Sequence, residues 1–372
     1  MRWSVEDDIN VIRLSLACHG RMLDSLTRAN DSHVLQRAVT WTIMKTKLAS
    51  AFIFLFLGAA YTAKPATLTA GQPIVLENTQ GNFDFIRVDA GQHRLLLAHT
   101  GNKTLDVFDL ESKKLLKSVP TGAAQDSATD AKNHLYYASV SSPPRMAIVD
   151  ASKLEMIGEV PLPAAADLMT FSTETGMAYV CNDTAGEVWV IDPQTKKIVT
   201  TITFPGKGME DLAFNPHQKR FFQVVKSANL LALVDAAENK VLETWPTAPA
   251  TNPHGMALVP HEDTLLIAGA KLALFSRADG KVLASADIAP RVDEMAYDPD
   301  LHFAYCGSSQ GKISVVKIKD NTLTAIEDIS TPGGAKSIVV DPKTRLVWIA
   351  YSKGEQSFVQ PFSPQLTEEL SR

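Results

Sequence analysis

From about residue 80 onward, short β-prone apolar runs alternate with polar turns on a repeat of about 42 residues. A run ending in a polar residue recurs as LDVFD (105–109), MAIVD (146–150), VWVID (188–192), LALVD (231–235), LALFS (272–276) and ISVVK (313–317), with last residues 41, 42, 43, 41 and 41 apart. Each is followed by a turn and another run, such as KVLETWP, and preceded by two more split by a turn, as in MTFSTETGMAYVC (169–181). Asp-Pro, Asn-Pro and Gly mark those turns with backbone preferences that strands avoid. Four short antiparallel strands per unit, repeated in series, predict propeller blades rather than a sandwich.

The seventh copy begins at Ser337, runs through Leu346–Ala350 and Ser357–Gln360, and then meets Pro361 and Pro364 without a fourth strand. An unassigned apolar run, Pro73–Leu76, precedes the first copy and can supply that outer strand, which removes an open edge. The expected fold is therefore all-β: a seven-bladed β-propeller of four-stranded antiparallel blades, closed by an N-terminal strand. A blade cannot bury both faces alone, so Phe85, Leu168, Leu212, Met256, Met295, Ile338, Tyr179, Phe222 and Trp348, with Trp189 and Trp245, are assigned to packing between blades.

Ahead of the repeats, Met44-Lys45-Thr46-Lys47 is followed by LASAFIFLFLGAA (48–60). Two lysines, a short apolar run and small residues make the three regions of a secretory signal peptide, and the run is shorter than a membrane span needs. Cleavage is expected after Ala60, with Ala63 as the poorer alternative. Residues 1–43 then read as a misassigned upstream segment, 44–63 as the signal region and 64–372 as one propeller covering about 74–364. Loss of residues 1–63 removes 7 Lys/Arg and 5 Asp/Glu and takes the net charge from −5 to −7. The expected localisation is periplasmic or secreted. Of three cysteines only Cys181 and Cys306 remain, on blades three apart and too distant for a disulfide, so both read as buried small apolar groups.

The third copy carries a resemblance. Ala178-Tyr179-Val180-Cys181-Asn182, then Val188-Trp189-Val190-Ile191-Asp192 and Lys197–Ile202, resemble the YVTN repeat of YncE-like exported β-propellers, over about residues 74–364. The resemblance implies fold and compartment, and leaves activity open, because one propeller scaffold carries many functions. Members include binding proteins without established chemistry, and related seven-bladed rings act as lactonases, a metal-dependent lyase and the large subunit of amine dehydrogenases. Blade 2 departs from the repeat with Ser141-Ser142-Pro143-Pro144, expected as a loop of partner-specific shape in place of a short turn.

Aligning the copies on Val88, Thr129, Phe171, Phe214, Leu258, Tyr297 and Val340 places one residue per blade four positions earlier, at the mouth of the central channel. That column reads Asp84, Gln125, Asp167, Glu210, His254, Asp293 and Lys336, and the next adds Asp126, Asp211 and Glu294. Converging carboxylates raise one another's pKa and attract cations. Oxygen ligands with one imidazole suit Ca²⁺, Mg²⁺ or Mn²⁺, which makes Asp84, Asp167, Glu210, His254 and Asp293 metal candidates. The bland reading is that these loop carboxylates cap turns and face water. Loops between second and third strands add His99, Asn182, Asp183, Lys226, Ser308, Tyr351 and Lys353 to the expected rim. His217, His261 and His302 fall in turns on the opposite face. No Ser–His–Asp spacing, HExxH, GxSxG, Walker or Rossmann fingerprint is present. The leading expectation is a monomeric exported scaffold whose mouth binds a protein or small ligand. The alternative is a divalent-metal-dependent hydrolase or lyase in which His254 or Glu210 moves the proton. A net charge of −7 and an acidic mouth disfavour nucleic acid.

Overall fold

The computed structural model describes residues 67–365, apart from Asp183, Pro216 and His217. The segments assigned to the upstream stretch and the signal region lie outside the described residues. Six sheets contain four antiparallel strands in sequence order: blade 1 spans Ile86–Asp89 to Lys114–Val119, blade 2 Ala124–Asp130 to Glu155–Pro161, and blade 3 Ala166–Ser172 to Lys197–Thr203. Blade 4 spans Met209–Asn215 to Lys240–Pro246, blade 5 Met256–Val259 to Val282–Ala286, and blade 6 Val292–Asp298 to Thr322–Ser330. The innermost strands touch their neighbours in an unbroken cycle from blade 1 through blade 7 and back, which makes the ring.

Blade 7 takes three strands from its own repeat, Ser337–Val340, Val347–Lys353 and Gln356–Pro364. Two short N-terminal strands pair in tandem with the last of these: Ile74–Leu76 faces Ser357–Val359, and Leu68–Ala70 faces Phe362–Pro364. The third strand continues through Pro361, where the sequence pattern had placed its end. Its outer partner is interrupted there, and the proline contributes only its carbonyl, which accepts the Gly71 N–H at 2.8 Å.

Seven apolar clusters hold the ring, one at each junction. Trp348 of blade 7 packs edge-on to Phe108 of blade 1, and Tyr179 of blade 3 meets Phe214 and Phe221 of blade 4. Each such side chain contributes about 1.5–3 kcal/mol on burial, so the ring depends on blades packing face to face. The assigned packing residues, including Trp189 and Trp245, all lie in these clusters, and Cys181 and Cys306 are buried free thiols. The polar residue ending the third strand has a local cause. Asp109, Asp150, Asp192 and Asp235 each accept backbone N–H groups of the following turn, for instance Ser112 N–H at 2.7 Å and Gln194 N–H at 2.8 Å.

The outermost strands share a device that the repeat did not reveal. In blades 1 to 6 the register with the third strand skips one residue, leaving Leu116, Ile157, Val199, Leu242, Leu283 and Ile326 unpaired. A bulge at this position twists each exposed edge away from flat pairing with another chain. Five of these residues are among the few large apolar side chains left exposed. The blade 2 segment Ser141–Pro144 is a four-residue turn, the same length as its counterpart 100–103 in blade 1, and not an enlarged loop.

Candidate functional site

Bulges also open the inner strands. The registers of the first and second strands slip between Ala124 and Asp126, Ala166 and Met169, Met209 and Leu212, and Val292 and Glu294. Gln125, Asp167, Glu210 and Asp293 occupy these slips, and a bulge re-aims the side chain it carries. In blade 1 the same geometry surrounds Asp84, with Asp84 N–H and Phe85 O both bonded to Ala98; in blade 5 it surrounds His254.

Four consecutive blades are tied by this column. His254 Nε2 of blade 5 lies 3.7 Å from Asp293 Oδ1 of blade 6; Asp293 also contacts the Lys336 ammonium of blade 7, which lies 3.0 Å from Asp84 Oδ1 of blade 1. Burial raises the Asp84 pKa, with Lys336 opposing it and Asp293 and Asp126 reinforcing it. Burial works against the charge of Lys336, but Asp84, Asp293 and Glu294 outweigh it and hold the ammonium protonated above its ordinary range. On the other side, Glu210 pairs with Lys226 at 2.7 Å and the Gln125 amide donates to Ser141 Oγ at 2.7 Å. Among the described residues, no three His, Cys, Asp or Glu side chains form a group that could hold a metal ion.

One layer down, even-numbered blades carry buried carboxylates that reach to the next blade. Asp126 accepts Met169 N–H at 3.1 Å, Asp211 accepts Met256 N–H at 3.0 Å and Glu294 accepts Ile338 N–H at 3.3 Å. Each accepts from a backbone donor in the inner strand of the next blade, which ties neighbouring blades through a buried polar contact. The odd blades carry Phe85, Leu168, Gly255 and Ser337 here. A Cβ on Gly255 would lie 2.9 Å from Met295 N, so blade 6 approaches too closely for any side chain. Glu294 Oε1 is buried without a hydrogen bond, and burial holds this carboxyl well above its usual pKa.

A third layer holds Arg87 alone among Ala128, Thr170, Ala213, Ala257, Ala296 and Val339. The guanidinium forks onto Asp126, Nε to Oδ1 at 2.8 Å and Nη2 to Oδ2 at 2.7 Å, and feels Asp211 and Glu294 from blades 4 and 6. Replacing Arg87 by Met is expected to cost about 1.5–3 kcal/mol, the worth of hydrogen bonds to a charged group. Lys should not restore it, because the fork is lost. Urea unfolding of both variants is the check, and a loss below about 0.5 kcal/mol, the ordinary surface range, would refute this role.

Three expected rim residues are drawn elsewhere. Asn182 is buried and folds back on its own turn, accepting Thr184 N–H at 3.1 Å and donating to Glu187. Tyr351 is buried and stacks on Phe358 with ring centroids 5.2 Å apart, beside a cleft between blades 6 and 7. His99 is wholly buried: Nδ1 lies 2.7 Å from Asp106 Oδ2, Nε2 lies 3.0 Å from Ser357 Oγ and 3.1 Å from Gly81 O, and the ring stacks on Phe83. Ser357 belongs to blade 7 and His99 and Asp106 to blade 1, so a Ser–His–Asp relay that no spacing disclosed locks the seam of the ring. Ser357 and Asp106 are buried as fully as the histidine, which gives the relay no access to a substrate. Ser308 donates to Pro290 O at 2.6 Å, and Asp183 lies outside the described residues. On the opposite face His261 and His302 sit in turns at positive φ, as expected, while His217 lies outside the described residues.

The chain is 26% identical over 182 residues to an uncharacterized protein YncE of Salmonella typhi, covering 47% of this chain and 51% of that protein. The protein is a seven-bladed β-propeller with sequence similarity to YncE. The chain spans about half the length of that curated relative, and no family model matches it. The ring is also similar in fold to a chain of Kuenenia stuttgartiensis hydrazine synthase, with TM-score 0.68 and 14% identity over 82% of this chain and 100% of that one. U3-55K gives TM-score 0.67 and 12% identity over 81% and 99%, and the RRP9 WD40 repeats 0.66 and 12% over 79% and 100%. At these identities the likeness shows the fold alone.

Proposed function

We propose that this propeller is an exported scaffold that binds a protein or small ligand through its channel mouth, without chemistry of its own. The observation that carries this reading is the run of contacts from His254 through Asp293 and Lys336 to Asp84 across four blades. It presents fixed charges of both signs on a rigid ring, which suits recognition of a complementary polar surface. It also places an ammonium between two of the carboxylates that a metal would need, so a divalent ion would have to displace Lys336. That arrangement supports binding over the lactonase- or lyase-type reading. Export rests on the signal-peptide pattern at 44–60, and among the described residues no helix is long and apolar enough to cross a membrane.

The test is thermal unfolding of the chelator-stripped exported protein with and without Ca²⁺, Mg²⁺, Mn²⁺ and Zn²⁺. No ion-dependent shift is expected. A ligand at a hundredfold excess over Kd adds about 2.7 kcal/mol of apparent stability, so a rise abolished in Asp293→Ala would bring the metal-dependent reading forward. N-terminal sequencing of the exported protein should begin at Tyr61, and recovery of the chain with Met1 intact would refute export by this signal. Periplasmic proteins retained by the wild-type ring should be lost from Lys336→Glu.

A further inference from the structure

A second recess lies away from the channel, on the shoulder between blades 6 and 7. It is a cleft of about 530 Å³, within the roughly 300–1,000 Å³ range of small-molecule sites. The break between the two N-terminal strands creates it. Gly71 carries the bend, with its N–H on Pro361 O and its carbonyl taking the Gln360 amide at 2.8 Å. A Cβ there would sit 2.9 Å from Pro361 O, so only glycine permits this approach. The outer edge of blade 7 is therefore notched, where the outer strands of blades 1 to 6 run on.

The notch has a fixed apolar wall and a polar rim. Tyr351, held by its stack on Phe358, and Phe362 form the wall with Pro73. Ser330 and Ser352 place hydroxyls at the edge, and Lys353 is the one charged lining residue. Lys353 is exposed and makes no ion pair among the described residues, unlike Lys336 and Lys226 at the mouth. A flat apolar body against the aromatic wall, with an acidic group on the ammonium and hydroxyls, fits this combination.

We propose that the cleft binds a small amphipathic monoanion, an aromatic or aliphatic carboxylate or sulfonate, at a site separate from the mouth. The binding surface goes beyond the scaffold reading and does not depend on it. Because the protein is net acidic, anions have no general attraction to it, and dependence on one lysine is a sharp signature.

The experiment titrates the folded protein with the fluorescent probe anilinonaphthalene sulfonate and, in parallel, with neutral phenylnaphthylamine. The sulfonate should saturate one site, and Lys353→Glu should weaken it by about tenfold or more, in keeping with loss and reversal of a charge-assisted contact. The neutral probe should bind wild type and variant alike. Unchanged far-ultraviolet circular dichroism and melting temperature show that Lys353→Glu is folded. Equal sulfonate affinity in wild type and Lys353→Glu overturns the proposal, as does the absence of saturable binding. Loss of binding in Lys336→Ala but not in Lys353→Glu would place the probe in the channel and overturn it equally.

Discussion

Replacing His99 by alanine should destabilise the ring by about 3–5 kcal/mol, the cost of deleting a fully buried ring and stranding the buried carboxylate it engages. Ser357 Oγ, His99 Nε2 and Gly81 O form a triangle with sides of 3.0 and 3.1 Å, while Nδ1 faces Asp106. Both ring nitrogens are thus engaged, Nδ1 by Asp106 and Nε2 by the Ser357–Gly81 pair, so His99 joins blade 1 to blade 7. Alanine leaves Asp106 buried with Thr104 Oγ1 as its remaining side-chain donor, at 2.7 Å, and removes the face on which Phe83 stacks. Ser357→Ala should cost less, about 1–3 kcal/mol, for one unsatisfied group. The two losses should be non-additive by about 0.5–3 kcal/mol in a double-mutant cycle, as for contacting groups. Urea unfolding at neutral pH measures all three. Additive losses, or less than about 1 kcal/mol for His99→Ala, the typical effect of an arbitrary substitution, would sink the seam as the ring's lock.

The sequence shows the blades because each is a local pattern: four runs, three turns, and an aspartate whose side chain closes its own turn, as at Asp192. It also sets out the column from Asp84 to Lys336 at constant offset in the repeats, and in blades 2, 3, 4 and 6 the residue of that column sits in a register slip. What pairs with what is a different matter. Lys336 and Asp84 are neighbours through ring closure, 252 residues apart, and His99 finds Ser357 over 258 residues. From spacing alone His99 is one more polar residue at the end of a second strand, equivalent to Asn182, and only the contact between the first and last blades separates their roles. The alternation of Asp126, Asp211 and Glu294 on every second blade was visible, and a signal was there in the glycine and apolar residues between them. Their common task, taking a backbone N–H of the next blade, requires the bulges to be known first.

Stability should fall as pH rises from about 4 to 7, against the usual trend for carboxylates, with the largest resolvable share coming from Asp211. Burial raises its pKa from 3.8 to about 6, with Arg87 and the Met256 N–H opposing the rise and Asp126 adding to it. Below pH 4 the folded and unfolded chains both hold this proton, and stability does not depend on it. Between the two values only the folded chain keeps the proton, so each pH unit weakens the fold, by about 3 kcal/mol in all at 1.36 kcal/mol per unit. Above pH 6 the effect levels off. Glu294 is shifted in the same direction, while Asp109, Asp192 and Asp235, lowered in the fold, contribute stability that is present above pH 4 and lost below it. The share due to Asp211 is isolated by comparing wild type with Asp211→Asn in urea from pH 4.5 to 7.5. The asparagine gives up one of the two backbone N–H bonds at Leu212 and Met256, a cost that does not vary with pH. Wild type should therefore lose its advantage over the variant as pH rises, and parallel profiles would show that Asp211 is ionised in the fold already at pH 4.5. Arg87 supplies the mechanistic link: its guanidinium is the cation that lets Asp211 ionise, so in Arg87→Met the downward slope should extend to higher pH. The buried carboxyls of blades 4 and 6 are then coupled through one arginine, which sets how far Asp211 and Glu294 can ionise.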